Sequence, residues 1–135
     1  MIWFEKDLEI RYADTDQMGV VHHAVYPLYC EIGRTFACAE LGLPYHQLEA
    51  QGFYLMVADM YCRYRFPARY GEPIYVQTAI SRLKKRLIEF QYRIGKRTLD
   101  HPIFTGTSKH IVTRGTEGST SLPPEHLALL QKGLA

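Results

Sequence analysis

Two aspartates and two histidines, Asp14, Asp16, His22 and His23, fall within ten residues of the segment RYADTDQMGVVHHAVYPLYCEIGRTF, residues 11–36. A carboxylate can take a proton from water or attack an electrophile, and an imidazole with an ordinary pKa near 6.5 can pass a proton in neutral solution. The same side chains are hard and borderline donors for a divalent cation. Adjacent histidines on a helix point about 100° apart, which makes joint ligation by His22 and His23 awkward, and no metal site is expected. The structural alternative for Asp14 and Asp16 is a turn or cap, in which short acceptor side chains bond free backbone amides. A second group capable of chemistry is Arg82, Lys84, Lys85 and Arg86, a dense basic cluster. It reads either as a solvated hairpin turn or as a set of donors for phosphate groups.

The backbone must position these groups, and the pattern of apolar residues says how. Leu8, Ile10 and Tyr12 alternate with polar neighbours, which predicts a strand over Glu5 to Tyr12 that stops near Asp14. Asp14, Thr15, Asp16 and Gly19 are turn and cap formers. Val25, Leu28, Tyr29, Ile32 and Phe36 then recur at helical spacing, and Gly42 supplies a stop, so a helix is expected from about Ala24 to Leu41, with Pro27 in its first turn. Unpaired amides at its start, around Val21 to His23, would face whatever sits in front of them. A connector follows, with a short helix at Tyr45 to Ala50. Strand-like alternation resumes near Ala58 to Phe66, at Ile74 to Ile80, at Ile88 to Ile94 and at Ile103 to Thr113, with the basic cluster between the middle two. The tail SLPPEHLALLQKGL suggests a short helix over about residues 122–133, with Ser121 as its cap. A helix of roughly 18 residues spans about 27 Å and can lie lengthwise across such a sheet. This order predicts a single α+β domain over residues 1–135, an antiparallel sheet wrapped around one long central helix.

Composition narrows the possibilities further. The chain has 135 residues, 47% apolar and 22% charged, with a formal charge of +2. That balance gives no argument for nucleic acid or membrane partners. No signal-peptide or transmembrane pattern is present in the sequence, and Cys30, Cys38 and Cys62 form no CxxC pair, so a cytoplasmic protein without disulfides is expected.

Tyr12, Asp14, Thr15, Asp16, Gly19, Val20, Val21, His23, Tyr26, Tyr29, Glu31 and Arg34 together resemble, in register and without a gap, the signature of the hotdog-fold thioesterases. The likeness is to the 4-hydroxybenzoyl-CoA thioesterase family and its YbgC-like acyl-CoA thioesterase branch. A second block, YRFPARYGEPIYV (Tyr64 to Val76), resembles that family's strand, Pro-Ala turn and next strand. The resemblance implies a hotdog fold, a dimer whose sheets join, often a dimer of dimers, and hydrolysis of an acyl-CoA thioester to a carboxylic acid and coenzyme A without a separate cofactor. It implies that Asp16 is the catalytic carboxylate, as nucleophile or general base, and that Tyr12 and His23 are active-site side chains. Gly19, Val21 and His22 would contact substrate at the helix start, where backbone amides, that of His23 first, would polarise the carbonyl. Lys84, Lys85 and Arg86 would hold coenzyme A phosphates. Position 22 departs from the pattern, because many relatives carry an aromatic residue where this chain has His22. Two other readings stay open: an enoyl-CoA hydratase or dehydratase of the same fold, and a non-catalytic acyl-CoA-binding domain. Delivery of the acyl group by a carrier protein is a further possibility, and neither nucleic acid nor membrane is an expected partner.

Overall fold

The computed structural model describes residues 1–135. In chain order it comprises β1 (Phe4–Leu8), α1 (Tyr26–Glu40), α2 (Tyr45–Ala50), β2 (Phe53–Tyr64), β3 (Ile74–Lys84), β4 (Leu87–Lys96), β5 (Pro102–Arg114) and α3 (Pro124–Gln131), with short 3-10 turns at Tyr12–Asp14, His23–Val25 and Lys132–Leu134. The strands form one antiparallel sheet in the order β1-β3-β4-β5-β2. Its inner face, carrying Val76, Ile80, Phe90, Ile94 and Phe104, closes on Tyr26, Tyr29, Cys30, Ala37 and Cys38 of α1. This is the α+β hotdog arrangement, and α1, about 22 Å long, lies along the sheet.

The first strand is shorter than the alternation suggests. β1 ends at Leu8, opposite Ile74, where its partner β3 begins just after Pro73, so no ladder is available beyond that point. The chain turns instead at Tyr12–Asp14, held by Arg11 folding onto the Asp14 carboxylate. α1 starts at Tyr26 rather than Ala24, after a 3-10 turn, with Pro27 in its first turn as the sequence predicts. β2 begins at Phe53, well before Ala58. Its register shifts between Val57 and Asp59, and this bulge interrupts the alternation that would have revealed the first half of the strand. Ser121 does not cap α3; Pro123 occupies that position.

Gly33 marks where helix and sheet come closest. A Cβ there would lie 2.3 Å from Thr78 Oγ1 and 3.0 Å from Val76 Cγ2. Gly33→Ala should therefore force α1 off β3 and destabilise the chain by about 1–3 kcal/mol. Denaturant unfolding of the Gly33→Ala/Thr78→Ala pair should recover part of that loss, because the second change removes the nearer atom. An unaltered midpoint for Gly33→Ala alone would contradict this packing.

A polar chain crosses the same interior. The Tyr92 hydroxyl and Ser108 Oγ lie 2.5 Å apart, and Ser108 Oγ is 2.7 Å from His110 Nε2, all three residues being fully buried. Burial, with the Arg34 cation adding to it, pushes the His110 pKa down from 6.5 to about 4, so the imidazole is held neutral.

Candidate active site

The loop after the Tyr12–Asp14 turn is closed by its own backbone. Thr15 and Val21 form an isolated antiparallel bridge, the Asp16 amide donates to the Val20 carbonyl (2.9 Å), and the Gly19 amide donates to the Asp16 carbonyl (2.9 Å). Gly19 sits at φ +76°, a conformation that costs glycine little. The Asp16 carboxylate is half-buried, and its Oδ1 accepts the Met18 amide at 2.9 Å and, more weakly, that of Val20 at 3.5 Å. Oδ2 remains free to meet another group.

Asp14 has a different task. It is buried and accepts the Arg11 amide (2.9 Å), the Arg11 guanidinium (2.8 Å) and the Tyr29 hydroxyl (3.0 Å). Burial alone would raise its pKa, but these donors outweigh it and hold the carboxyl below the usual range. Asp14→Ala should cost about 1–3 kcal/mol of stability in denaturant unfolding, since it strands the Tyr29 hydroxyl and frees the turn. A variant as stable as the parent chain would sink this structural assignment.

Most amides at the helix entry are already used. Val21 donates to the Ala68 carbonyl (2.8 Å), His22 to the Asp14 carbonyl (2.8 Å), Ala24 to His22 Nδ1 (3.0 Å) and Val25 to the His22 carbonyl (2.9 Å). The amide of His23 is left without an acceptor in the chain. The expectation of open amides throughout Val21 to His23 therefore reduces to one. His22 is the cap of the 3-10 turn, and the acceptor role of Nδ1 places the ring proton on Nε2. The two imidazoles do not diverge as neighbours on a helix would. They precede α1 and stack at 4.2 Å with 27° between their planes.

A cleft of about 290 Å³ opens at this entry, lined by Val21, His23, Tyr26, Tyr64, Arg65, Phe66 and Pro67. The Tyr64 hydroxyl donates to the His23 carbonyl at 2.7 Å, tying the end of β2 to the helix entry. Tyr26 is buried, stacked on Phe104 at 5.2 Å and edge-on to Tyr64 at 5.3 Å, so it serves both core and cleft wall. Of the residues singled out from the sequence, Val21 and His23 line this cleft; Asp16, Gly19 and His22 belong to the loop beside it. Tyr12 is 78% exposed, packs edge-on against Tyr70 at 5.7 Å and makes no hydrogen bond to Asp16. The sequence pattern alone does not single out Tyr64, Arg65 and Phe66 as site residues. The signal available was a run of exposed rings ending a strand just before a Pro-Ala turn.

Lys84, Lys85 and Arg86 do not share this place. They form the β3–β4 hairpin, with Lys84 opposite Leu87, whereas Tyr64 lies level with Phe104 and Ile94. The seven residue steps from Leu87 to Ile94 separate the hairpin from the cleft by about 23 Å. Within one chain the hairpin therefore lies apart from that chain's own cleft. The hairpin is fastened to the tail by the Leu122 amide on the Lys85 carbonyl (2.9 Å) and by Arg86 on Ser119 (3.3 Å). Cys30 and Cys38 are buried and their thiol pKa values lie well above the ordinary range because of that burial, which leaves them poor nucleophiles.

Residues 10–130 match the thioesterase-like superfamily. A 76-residue stretch is 43% identical to the putative acyl-CoA thioesterase YneP of Bacillus subtilis, covering 56% of this chain and 55% of that protein. The chain is 31% identical over 91 residues to the acyl-CoA thioester hydrolase YbgC of Escherichia coli O157:H7, covering 67% of this chain and 68% of that one. The crystal structure of DHNA-CoA thioesterase from Staphylococcus aureus superposes with a TM-score of 0.92 at 26% identity, covering 98% of this chain and 91% of its own.

Proposed function

From the premise that this chain belongs to the hotdog-fold thioesterase superfamily, we propose that it hydrolyses an acyl-CoA thioester to a carboxylic acid and coenzyme A. The observation that carries the reading is the His23 amide, unclaimed at the head of a cleft, with the free oxygen of Asp16 in the adjoining loop. A thioester has a good leaving group, so its hydrolysis needs an attacking oxygen and a donor for the developing oxyanion more than a strong acid. Asp16 takes the first role, as general base toward water or as nucleophile. The His23 amide takes the second. The His23 ring orients the carbonyl, and Tyr12 reaches the reacting group only by swinging in from its exposed position.

The working site belongs to a pair of chains. β2 is bonded to β5 on one side only, and Met56, Val57, Tyr61 and Tyr64 are exposed along it. Antiparallel addition of a second copy at this edge sets the Phe53 end of one β2 beside the Tyr64 end of the other. It is also the route by which a Lys84–Arg86 hairpin approaches a cleft. No helix is long and apolar enough to cross a membrane, and a cytoplasmic site of action fits this reading.

Thiol release measured across short-chain, long-chain and aromatic acyl-CoAs, with acyl carrier protein thioesters alongside, tests the proposal. Turnover of at least one series supports it. Hydration of an enoyl-CoA without thiol release would assign the chain to the hydratase branch instead, and ligand binding with neither reaction would make it a binding domain.

A further inference from the structure

Two more clefts open on the outer face of the sheet, away from α1. One, of about 400 Å³, lies among Arg65, Phe66, His101, Pro102 and Thr105. It shares Arg65 and Phe66 with the His23 cleft. The other, of about 290 Å³, includes Trp3, Tyr61, Gln91 and Arg93 and meets the first at Thr105. The three form one path over the end of β2.

Thr105 is flanked by Arg63 on β2 and Arg93 on β4 in a single cross-strand row. The two arginines sit two strand spacings apart, about 10 Å, and Arg65 follows just beyond the end of β2. None of the three forms an ion pair. Elsewhere on this face cations meet acids: Arg82 and Lys109 meet Glu89, Lys109 also meets Asp59, and Arg97 meets Glu5 and Asp7. Gathering unpaired like charges costs stability, so ion pairing within the fold does not account for the arrangement. Flat rings surround it. Arg93 stacks on Trp3 at 3.9 Å, Phe66 and His101 form a V with centroids 5.0 Å apart, and Tyr61 is 60% exposed. Unpaired guanidinium groups with exposed rings suit a ligand that joins phosphates to a planar base.

We propose that the Arg63–Arg65–Arg93 row on the outer sheet face binds the phosphorylated nucleotide end of the thioester's carrier, so that coenzyme A rather than a carrier protein delivers the acyl group. This rests on the thioesterase reading. The carbonyl sits in the His23 cleft, the pantetheine arm crosses the Arg65–Phe66 ridge, and the nucleotide lies over Thr105. The phosphates are then held within one chain, not by the Lys84–Arg86 hairpin.

Calorimetric titration with adenosine 3′,5′-bisphosphate tests the site without turnover. The parent chain should bind it. Arg63→Gln/Arg93→Gln should weaken binding about 10-fold or more, and Lys84→Gln/Lys85→Gln/Arg86→Gln by less than about 2-fold. The ratio of kcat/KM for an acyl-CoA to that for the same acyl-pantetheine should fall about 10-fold in the arginine pair as well. Loss confined to the hairpin variant would overturn the proposal, as would a parent chain that ignores the bisphosphate. Turnover of carrier-protein thioesters alone, impaired in the arginine pair, would make the row a dock for an acidic protein and would equally overturn it. If the bisphosphate binds as expected but no thioester is cleaved, the thioesterase reading fails and the nucleotide site stands.

Discussion

Asp16→Asn should lower the rate of thiol release by about 10²–10⁴-fold, the range expected when a positioned carboxylate base is lost. The substitution is close to isosteric, and the asparagine carbonyl can still accept the Met18 amide that Asp16 Oδ1 holds at 2.9 Å. The loop between the Thr15–Val21 bridge partners should therefore keep its shape, and the unfolding midpoint should stay where it is. This separation of activity from stability distinguishes Asp16 from Asp14, whose carboxylate is consumed by Arg11 and Tyr29. Steady-state thiol release, read beside a denaturant curve, decides the matter. Parent-like turnover by Asp16→Asn would remove the carboxylate from the chemistry, and a collapsed fold would show it to be structural.

Acid should destabilise the chain through His110. Its pKa is pushed from 6.5 to about 4 by burial and by Arg34, so between those values the unfolded chain binds a proton that the folded chain refuses. Stability is then full above pH 6.5 and falls as the pH drops, reaching a loss of about 3 kcal/mol below pH 4. The Asp14 and Glu72 carboxyls, held below their ordinary values mainly by Arg11 and Lys96 against the effect of burial, add losses in the same direction but only at lower pH. Urea unfolding at pH 7 and pH 4.5 should show most of the His110 effect. His110→Gln, which keeps a polar partner for Ser108, should flatten the dependence in that window. An equal slope in both chains would mean that the buried imidazole is not its source.

The parts of this architecture encoded by neighbours in the chain are legible in the sequence. Leu28, Ile32 and Phe36 announce α1, and the run from Asp14 to His23 carries its turn, its cap and its carboxylates within one short stretch. What depends on distant partners was not legible. Two of the expected open amides are occupied by the carbonyls of Ala68 and Asp14, and nothing at Val21 or His22 foretells this. The cleft owes Tyr64 and Phe66 to a strand end some forty residues away, joined by the hydroxyl of Tyr64 on His23. The Tyr92–Ser108–His110 chain is likewise a product of strand pairing, since each of its members taken alone reads as an ordinary strand residue.

The extra residue at Ala58 also acts as a filter on what can join the sheet. A straight strand laid along β2 would match the backbone on one side of the kink and lose step on the other. A second copy carries the same kink at the same place, and a two-fold axis through it lets both irregularities face each other. The edge therefore suits the self-pairing proposed above: the same kink that disguises the strand in the sequence would set the register between two copies.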